Sequence, residues 1–446
     1  KDTNEAGIAD VCVSNGVEVV KTDAEGLYSL PVREEAIVFV IKPNGWQTPF
    51  DENHMPEFYY IHKPKGSPDT LNYPGIAATG ALPASINFPL YTYKEQENFK
   101  AIIFGDPQLR NLTELGYLGR DVVSSLIEPD ALFGVSLGDL AFDDLRVLEP
   151  YNEVVGMMGI PWYNVQGNHD MNFKAKDDFH ATETYKRIYG PANYAYNYGN
   201  VHFIVLDDVT KEEGTRYHGE IGAEGLAFLK NDIKHVSEDT LVVVLFHIPL
   251  GGIRDKQAFL DILSKQNKVL ALSAHTHTQF HEFYGRQQGW KGENELHHMV
   301  CATACGNWWG GQKDEIGIPD STMGDGVPNG WNLITFAGNN YKIQFVPARR
   351  PADYQMNIFA PSIVDRAEID QTKVEVNVFA GSTKSEVKMR FGKEGNWVEI
   401  KPMAKRRHWW EGPLPKKAKQ GTHLITVRAK DMFGQLFEAH HIITIQ

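Results

Sequence analysis

Residues 99–110 read FKAIIFGDPQLR, an apolar run that stops at a glycine and delivers Asp106 and Gln108 just beyond it. A short β-branched and aromatic run bounded by a turn signal is a buried strand, so these two polar residues stand where a strand ends. The same grammar recurs. ALFGVSLGD at 131–139 ends in Gly138-Asp139, and WYNVQGNHD at 162–170 ends in Gly167-Asn168-His169-Asp170. Two later runs close on histidine: LVVVLFH at 241–247 yields His247, and VLALSAHTH at 269–277 yields His275 and His277.

Strands are predicted at 100–104, 131–137, 162–166, 201–206, 240–246 and 268–273, with helical periodicity over 113–127, 148–158, 223–236 and 254–265. That alternation signals a sheet with crossover helices. In open α/β sheets ligands bind beyond the carboxyl ends of the strands, so polar residues from five strand ends can converge. Gly105, Gly138 and Gly167 each precede a candidate ligand, where a sharp turn is required. Taken singly, every fragment has an ordinary reading. Gly138-Asp139 is a common turn, Asn168-His169-Asp170 a solvated loop, His275-Thr276-His277 an exposed edge pair, and His247 a hydrogen-bonded core histidine. Packing alone would rarely place all five, in this order, at strand ends. Two cations held roughly 3.5–4 Å apart need a bridging carboxylate and several N or O ligands, and can then clamp a phosphoryl group. The set supplies those residue types.

Working outward, 446 residues exceed one ordinary core and predict two or three domains. The formal charge of −13 argues against a general nucleic-acid binder, which needs surplus Lys and Arg. The charge is also uneven: residues 346–446 hold 17 Lys plus Arg against 11 Asp plus Glu, leaving the acidic load on the part that would hold cations. No apolar run approaches the roughly 18 residues of a membrane span. Cys12, Cys301 and Cys305 form neither a disulfide framework nor a zinc spacing and read as packing residues, with a Cys301–Cys305 bridge open only if the chain turns there. Residues 8–41 read as short alternating strands punctuated by Asn15-Gly16 and Glu25-Gly26. A Pro-, Gly- and Asn-rich loop is predicted from Pro43 to Pro83, and strand-like Ile86–Tyr93 leads out of it. After Pro347 alternation returns at Val374, Val376 and Val378, at Val387, Met389 and Phe391, at Ile425, Val427 and Ala429, and at Ile443 and Ile445, which fits a β-sandwich.

GDPQ at 105–108, LGD at 137–139, GNHD at 167–170, FH at 246–247 and AHTH at 274–277 resemble the ordered motif series of calcineurin-like metallophosphoesterases. AGIADVCVSNGVEVVKTDAEGLYSL at 6–30 resembles the small N-terminal domain of exported bacterial members, and GTHLITVRAKDMFG at 421–434 the end of their C-terminal sandwich. The resemblance implies a four-layer α/β core with flanking helices at 96–345, a small N-terminal β-sandwich domain with linker at 1–95 and a C-terminal β-sandwich at 346–446. It implies that Asp106, Gln108, Asp139 and His277 hold one divalent metal, that Asp139 bridges to a second held by Asn168, His247 and His275, and that a metal-bound hydroxide attacks a phosphate ester. His169 would protonate the leaving oxygen and Asp170 would orient His169. Members commonly carry His at the position of Gln108 and Gly at that of Ala274. A neutral amide oxygen weakens the case for zinc or iron and keeps Mn²⁺ or Mg²⁺ in view.

Trp308 and Trp309, flanked by Gly310-Gly311, suit stacking on a sugar or base, or packing between domains. Arg110 and Arg254 lie near ligand segments and are candidate phosphate contacts, though surface arginine is the default. The expected substrate is a small phosphorylated molecule, monoester favoured weakly over diester, with a carbohydrate link suggested by the Trp pair. The rival readings are a metal-containing glycan-binding protein without turnover and a nucleotidase of the same fold. The flanking domains tilt localisation toward export, to a periplasm or cell surface. The sequence opens at Lys1 without Met or signal peptide, as a processed exported protein or any trimmed chain would.

Overall fold

The computed structural model describes residues 5–446. Its centre is two stacked sheets. The first runs Asn340–Pro347, Gly330–Ala337, Asn98–Phe104, Phe133–Leu137, Trp162–Val165, and the last three strands are parallel. The second runs Tyr194–Tyr198, Val201–Val205, Leu241–Leu245, Lys268–Ser273, Leu296–Val300, Phe280–Tyr284, with four parallel strands between antiparallel edges. Leu241–Leu245 is buried at every position, as a strand covered on both faces must be.

One hydrophobic cluster joins the facing sides of the two sheets, Phe99, Ala101, Ile103, Phe133 and Val135 meeting Phe203, Val242 and Val244. The far side of the first sheet, with Ile102, Phe104 and Trp162, packs beneath helices Leu112–Asp121 and Leu148–Gly156. Gly222–Asp232 and Lys256–Leu263 send Phe228, Leu229, Phe259 and Leu260 into the core from the other side. The order helix, sheet, sheet, helix is the expected four-layer core.

Beyond Pro347 a four-stranded and a five-stranded sheet enclose their own cluster. Val374, Val376, Val378, Val387, Met389, Ile425, Val427, Ala429, Ile443 and Ile445 are all buried in it, with Phe391 at its margin, so the alternation gave the inward face correctly.

The N-terminal region departs from expectation. Its strands, ordered Val19–Lys21, Cys12–Ser14, Ala36–Val40, Tyr59–His62, form one four-stranded sheet rather than the two layers of a sandwich. The central two-sheet core supplies the cover: Phe39 meets Phe228 at 5.8 Å and Phe58 meets Tyr194 at 5.1 Å. Tyr59–His62 lies inside the stretch expected to be loop, and only Tyr91–Thr92 of the expected 86–93 strand pairs, with Trp46–Gln47. Lys63, just beyond that strand, forms a buried ion pair with Glu183 of the core at 3.1 Å.

Register brings the strand ends together. Leu137 pairs with Val165 and Leu245 with Leu272, so the residues that follow leave their sheets side by side. Gly138 (φ +87°) and Gly167 are needed where the two sheets meet: a Cβ on Gly138 would lie 2.5 Å from the His247 ring, and one on Gly167 would lie 2.0 Å from the Asp139 amide. Ala274 is fully buried with an ordinary φ, so its methyl group is accommodated.

Candidate active site

His247 organises one half of the site. Its Nδ1 donates to the Leu137 carbonyl at 2.8 Å, which leaves Nε2 as the lone-pair atom. Around that Nε2 stand Asn168 Oδ1 at 3.0 Å, His275 Nδ1 at 3.1 Å and Asp139 Oδ2 at 3.3 Å. Ligand atoms of Asp139, His247 and His275 all lie within 4.8 Å of one another. Asn168 Nδ2 is buried with no partner.

These lone-pair atoms face one another at contact distance, the arrangement that donors around one cation adopt. Burial lowers the basicity of His247, but Asp139 and Asp106 outweigh that and push its pKa up to about 10, while burial and His247 push His275 down to about 3. The residues present therefore fit a divalent cation.

On the other side of Asp139, both oxygens of Asp106 accept from the His275 amide, at 3.2 and 2.9 Å. His277 donates from Nδ1 to the Gly306 carbonyl at 2.6 Å, and its Nε2 is buried without a partner. Gln108 reaches the site with its amide nitrogen 3.1 Å from Asp139 Oδ2 and its oxygen 2.5 Å from the Trp308 indole nitrogen. Thirteen described non-glycine residues have positive φ; eight are here, namely Asp106, Gln108, Asp139, Asp143, His275, His277, Trp308 and Trp309. Strain concentrated in this way marks functional positions.

His169 stands outside the cage. Its amide donates to Asp139 Oδ1 at 2.9 Å, its ring stacks on Phe142 at 4.4 Å, and its Nδ1 contacts Asp143 Oδ1 at 2.6 Å. Burial lowers its pKa, but the bond to Asp143 and the charge of Asp139 leave it raised overall.

The expectation that Asp170 orients His169 is corrected. Asp170 is fully buried and accepts from three backbone amides, Leu140 at 3.2 Å, Ala141 at 2.9 Å and Gly167 at 2.9 Å, so it braces the two loops that carry Asp139 and Asn168. Asp143 does the orienting. Its signal was present, a carboxylate four residues beyond Asp139 in LGDLAFDD. Asp208 was also missed: it accepts from the His247 and Ile248 amides at 3.0 and 2.8 Å and fixes that turn.

The expected substrate contacts divide. Trp308 is at the site, its ring 4.2 Å from His277. Trp309 is buried in the core beneath, bonded to Asp121 at 3.0 Å, and cannot offer a stacking face. Arg110 is committed to Glu114 and donates to the Trp308 carbonyl at 2.9 Å, so it supports the tryptophan loop. Arg254 is exposed and pairs with Glu212 at 3.4 Å. Cys301 and Cys305 are free and buried, as packing residues should be.

With this geometry in hand, three family models match along the chain: the N terminal of calcineurin-like phosphoesterase at residues 1–75, calcineurin-like phosphoesterase itself at 99–279, and its C terminal at 298–406. The chain belongs to the calcineurin-like phosphoesterases and is a metal-dependent phosphoester hydrolase in that general sense. Similar solved structures include a purple acid phosphatase from yellow lupin (Lupinus luteus) seeds, 14% identical over 76% of this chain and 67% of that one, with a TM-score of 0.40. CopC from Methylosinus trichosporium OB3b is 16% identical over 20% of this chain and 89% of its own (TM-score 0.17). A superoxide reductase (neelaredoxin) from Ignicoccus hospitalis is 18% identical over 21% and 81% (TM-score 0.16). No curated protein matches in sequence. The family models carry the assignment.

Proposed function

We propose that this chain hydrolyses a phosphate ester at the strand-end cluster, with Asp139, Asn168, His247 and His275 holding one divalent cation, and Asp106, Asp139 and His277 a second. The division 1–95, 96–345 and 346–446 goes with this reading, every proposed ligand falling in the middle part. The observation that carries the reading is the set of lone-pair atoms 3.0–3.3 Å around His247 Nε2. Bound divalent cations would polarise the phosphoryl oxygens and acidify a water. Three oxygen donors, from Asp106, Asp139 and Asn168, beside three imidazoles make a mixed set that suits Mn²⁺, iron or zinc.

The protein's own proton chemistry centres on His169. With Nδ1–H given to Asp143, its Nε2 is left to donate a proton to the leaving oxygen, and the stacked Phe142 ring holds the imidazole plane. The bond to Asp143 and the charge of Asp139 favour the protonated imidazole. A glycan-binding protein without turnover has no use for such a group, and with Trp309 buried that rival loses half of its tryptophan pair.

His169→Asn tests the assignment. General acid catalysis contributes roughly 10²–10⁴ in rate, most where the leaving group is a poor one. The variant should keep its metal content, lose turnover on an alkyl phosphate by that order, and lose less on an activated aryl phosphate. Unchanged alkyl phosphate hydrolysis in a metal-replete variant would remove His169 from the mechanism.

A further inference from the structure

The orientation of the Gln108 amide is settled by its neighbours. An indole N–H can only donate, so the Gln108 atom 2.5 Å from Trp308 Nε1 is the oxygen. The opposite atom, 3.1 Å from Asp139 Oδ2, is then the NH₂ group, and a carboxylate is the acceptor it requires. Both contacts agree, and the flipped amide would turn both against themselves.

An amide oxygen has a second lone pair, so the indole alone would not prevent Gln108 from ligating. The NH₂ group decides it. On the Asp139 side Gln108 presents hydrogens, and Asp139 Oδ2, the oxygen already 3.3 Å from His247 Nε2, receives one of them. The other oxygen, Oδ1, accepts the His169 amide at 2.9 Å.

The two halves of the site are therefore unequal. Around His247 three ligand atoms from Asn168, His275 and Asp139 are drawn together, and Nδ1 is anchored on Leu137. In the other half the two Asp106 oxygens share the single His275 N–H, Gln108 is a donor, and His277 Nε2 alone is buried and free of partners. Trp308 maintains this state. It bonds Gln108 and sets its ring 4.2 Å from that of His277 at a 32° tilt, so it touches two of the residues expected at that cation.

We propose that this chain binds its two cations unequally, tightly at Asp139, Asn168, His247 and His275 and weakly at Asp106 and His277, because Trp308 holds Gln108 as a hydrogen-bond donor to Asp139 instead of a ligand. Trp308 is a positioning residue in this account. The inference rests on the metal-binding reading above and adds the inequality to it. Partners that orient a ligand typically change metal affinity by roughly 10–100-fold, which sets the scale of the effect.

The test is titration of chelator-stripped full-length protein with Mn²⁺ alone, followed by calorimetry and by the electron paramagnetic resonance spectrum. The wild type should take one equivalent tightly with an uncoupled single-ion signal, then a second at least about tenfold more weakly with the onset of exchange coupling. Gln108→His supplies a ligand nitrogen and should close that gap to within about threefold. Trp308→Phe keeps a ring over His277 but removes the donor, frees the amide to turn, and should tighten the second cation by on the order of tenfold. Two equal affinities in the wild type overturn the proposal without help from either variant. So does a second-site affinity that neither substitution moves. If folded protein binds no Mn²⁺ at all, the metal-binding reading falls as well, and that outcome is distinct from equal binding.

Discussion

Along Lys373–Val378 and Gly421–Lys430 of the C-terminal sandwich the inward positions are mostly apolar and fully packed, whereas at the strand ends of the core the buried positions are Asp106, Asp139, Asn168 and His247. The strands leading to them are equally apolar; what differs is the last two residues. In the sandwich, side chains follow the period-two rule and the backbone is relaxed, with His408 and Arg349 the positive-φ non-glycine residues of the described chain past residue 346. In the core, eight strained residues crowd one rim. A fold departs from local rules where it binds something and keeps them where it only needs to be stable. Substitutions in the two regions should therefore fail in different ways.

The largest effect is expected from Asp139→Asn, the residue common to both proposed cations. Several kcal/mol of charge stabilisation at about 1.36 kcal/mol per tenfold makes a loss of roughly 10³-fold or more in turnover. Metal analysis should show both cations depleted, whereas His277→Ala should chiefly empty one; loss of a single ion in both variants would contradict the bridging role. In the sandwich, Ile425→Ala should cost roughly 2–5 kcal/mol of stability through the cavity it leaves, visible as earlier unfolding, with metal content and turnover preserved below that transition. If it lowered metal content in folded protein, the two regions would not be separate in function. Asp143→Asn is expected to slow alkyl phosphate hydrolysis by about tenfold at unchanged metal content, because it disturbs the tautomer and aim of His169 without touching the cage. The smallest effect belongs to Arg254→Ala: an exposed ion pair contributes about 0–1 kcal/mol, and kcat/KM should stay within about fivefold. A larger loss would return Arg254 to the phosphate.

The same comparison shows what a sequence discloses. The apolar runs around Ile102, Val135 and Val243 identified the parallel strands because burial on both faces leaves no other composition. The proposed ligand positions were read from the same runs, since Asp106, Asp139, Asn168, His247 and His275 lie one or two residues past them, and the register carries these residues together. Less was visible where partners come from afar. Asp170 sits beside His169 in sequence, but the chain turns there, and its carboxylate faces the amides of Leu140, Ala141 and Gly167 while Asp143 meets the imidazole from another loop. Trp308 and Trp309 are adjacent and identical in type, yet one lies over His277 and the other points down to Asp121. Tyr59–His62 was hidden because its pairing with Ala36–Val40 spans a stretch rich in proline, glycine and asparagine. The single-layered N-terminal sheet was equally hidden, because its second layer is the core itself.

The central claim is that divalent cations at the strand-end cluster are required for phosphoester hydrolysis, and it is tested most directly by measuring turnover of one aryl and one alkyl phosphate by full-length protein before chelation, after chelation with metal content verified as nil, and after return of Mn²⁺. Activity on both substrates should vanish with the metal and return with it. Undiminished hydrolysis by verified metal-free protein would contradict the account.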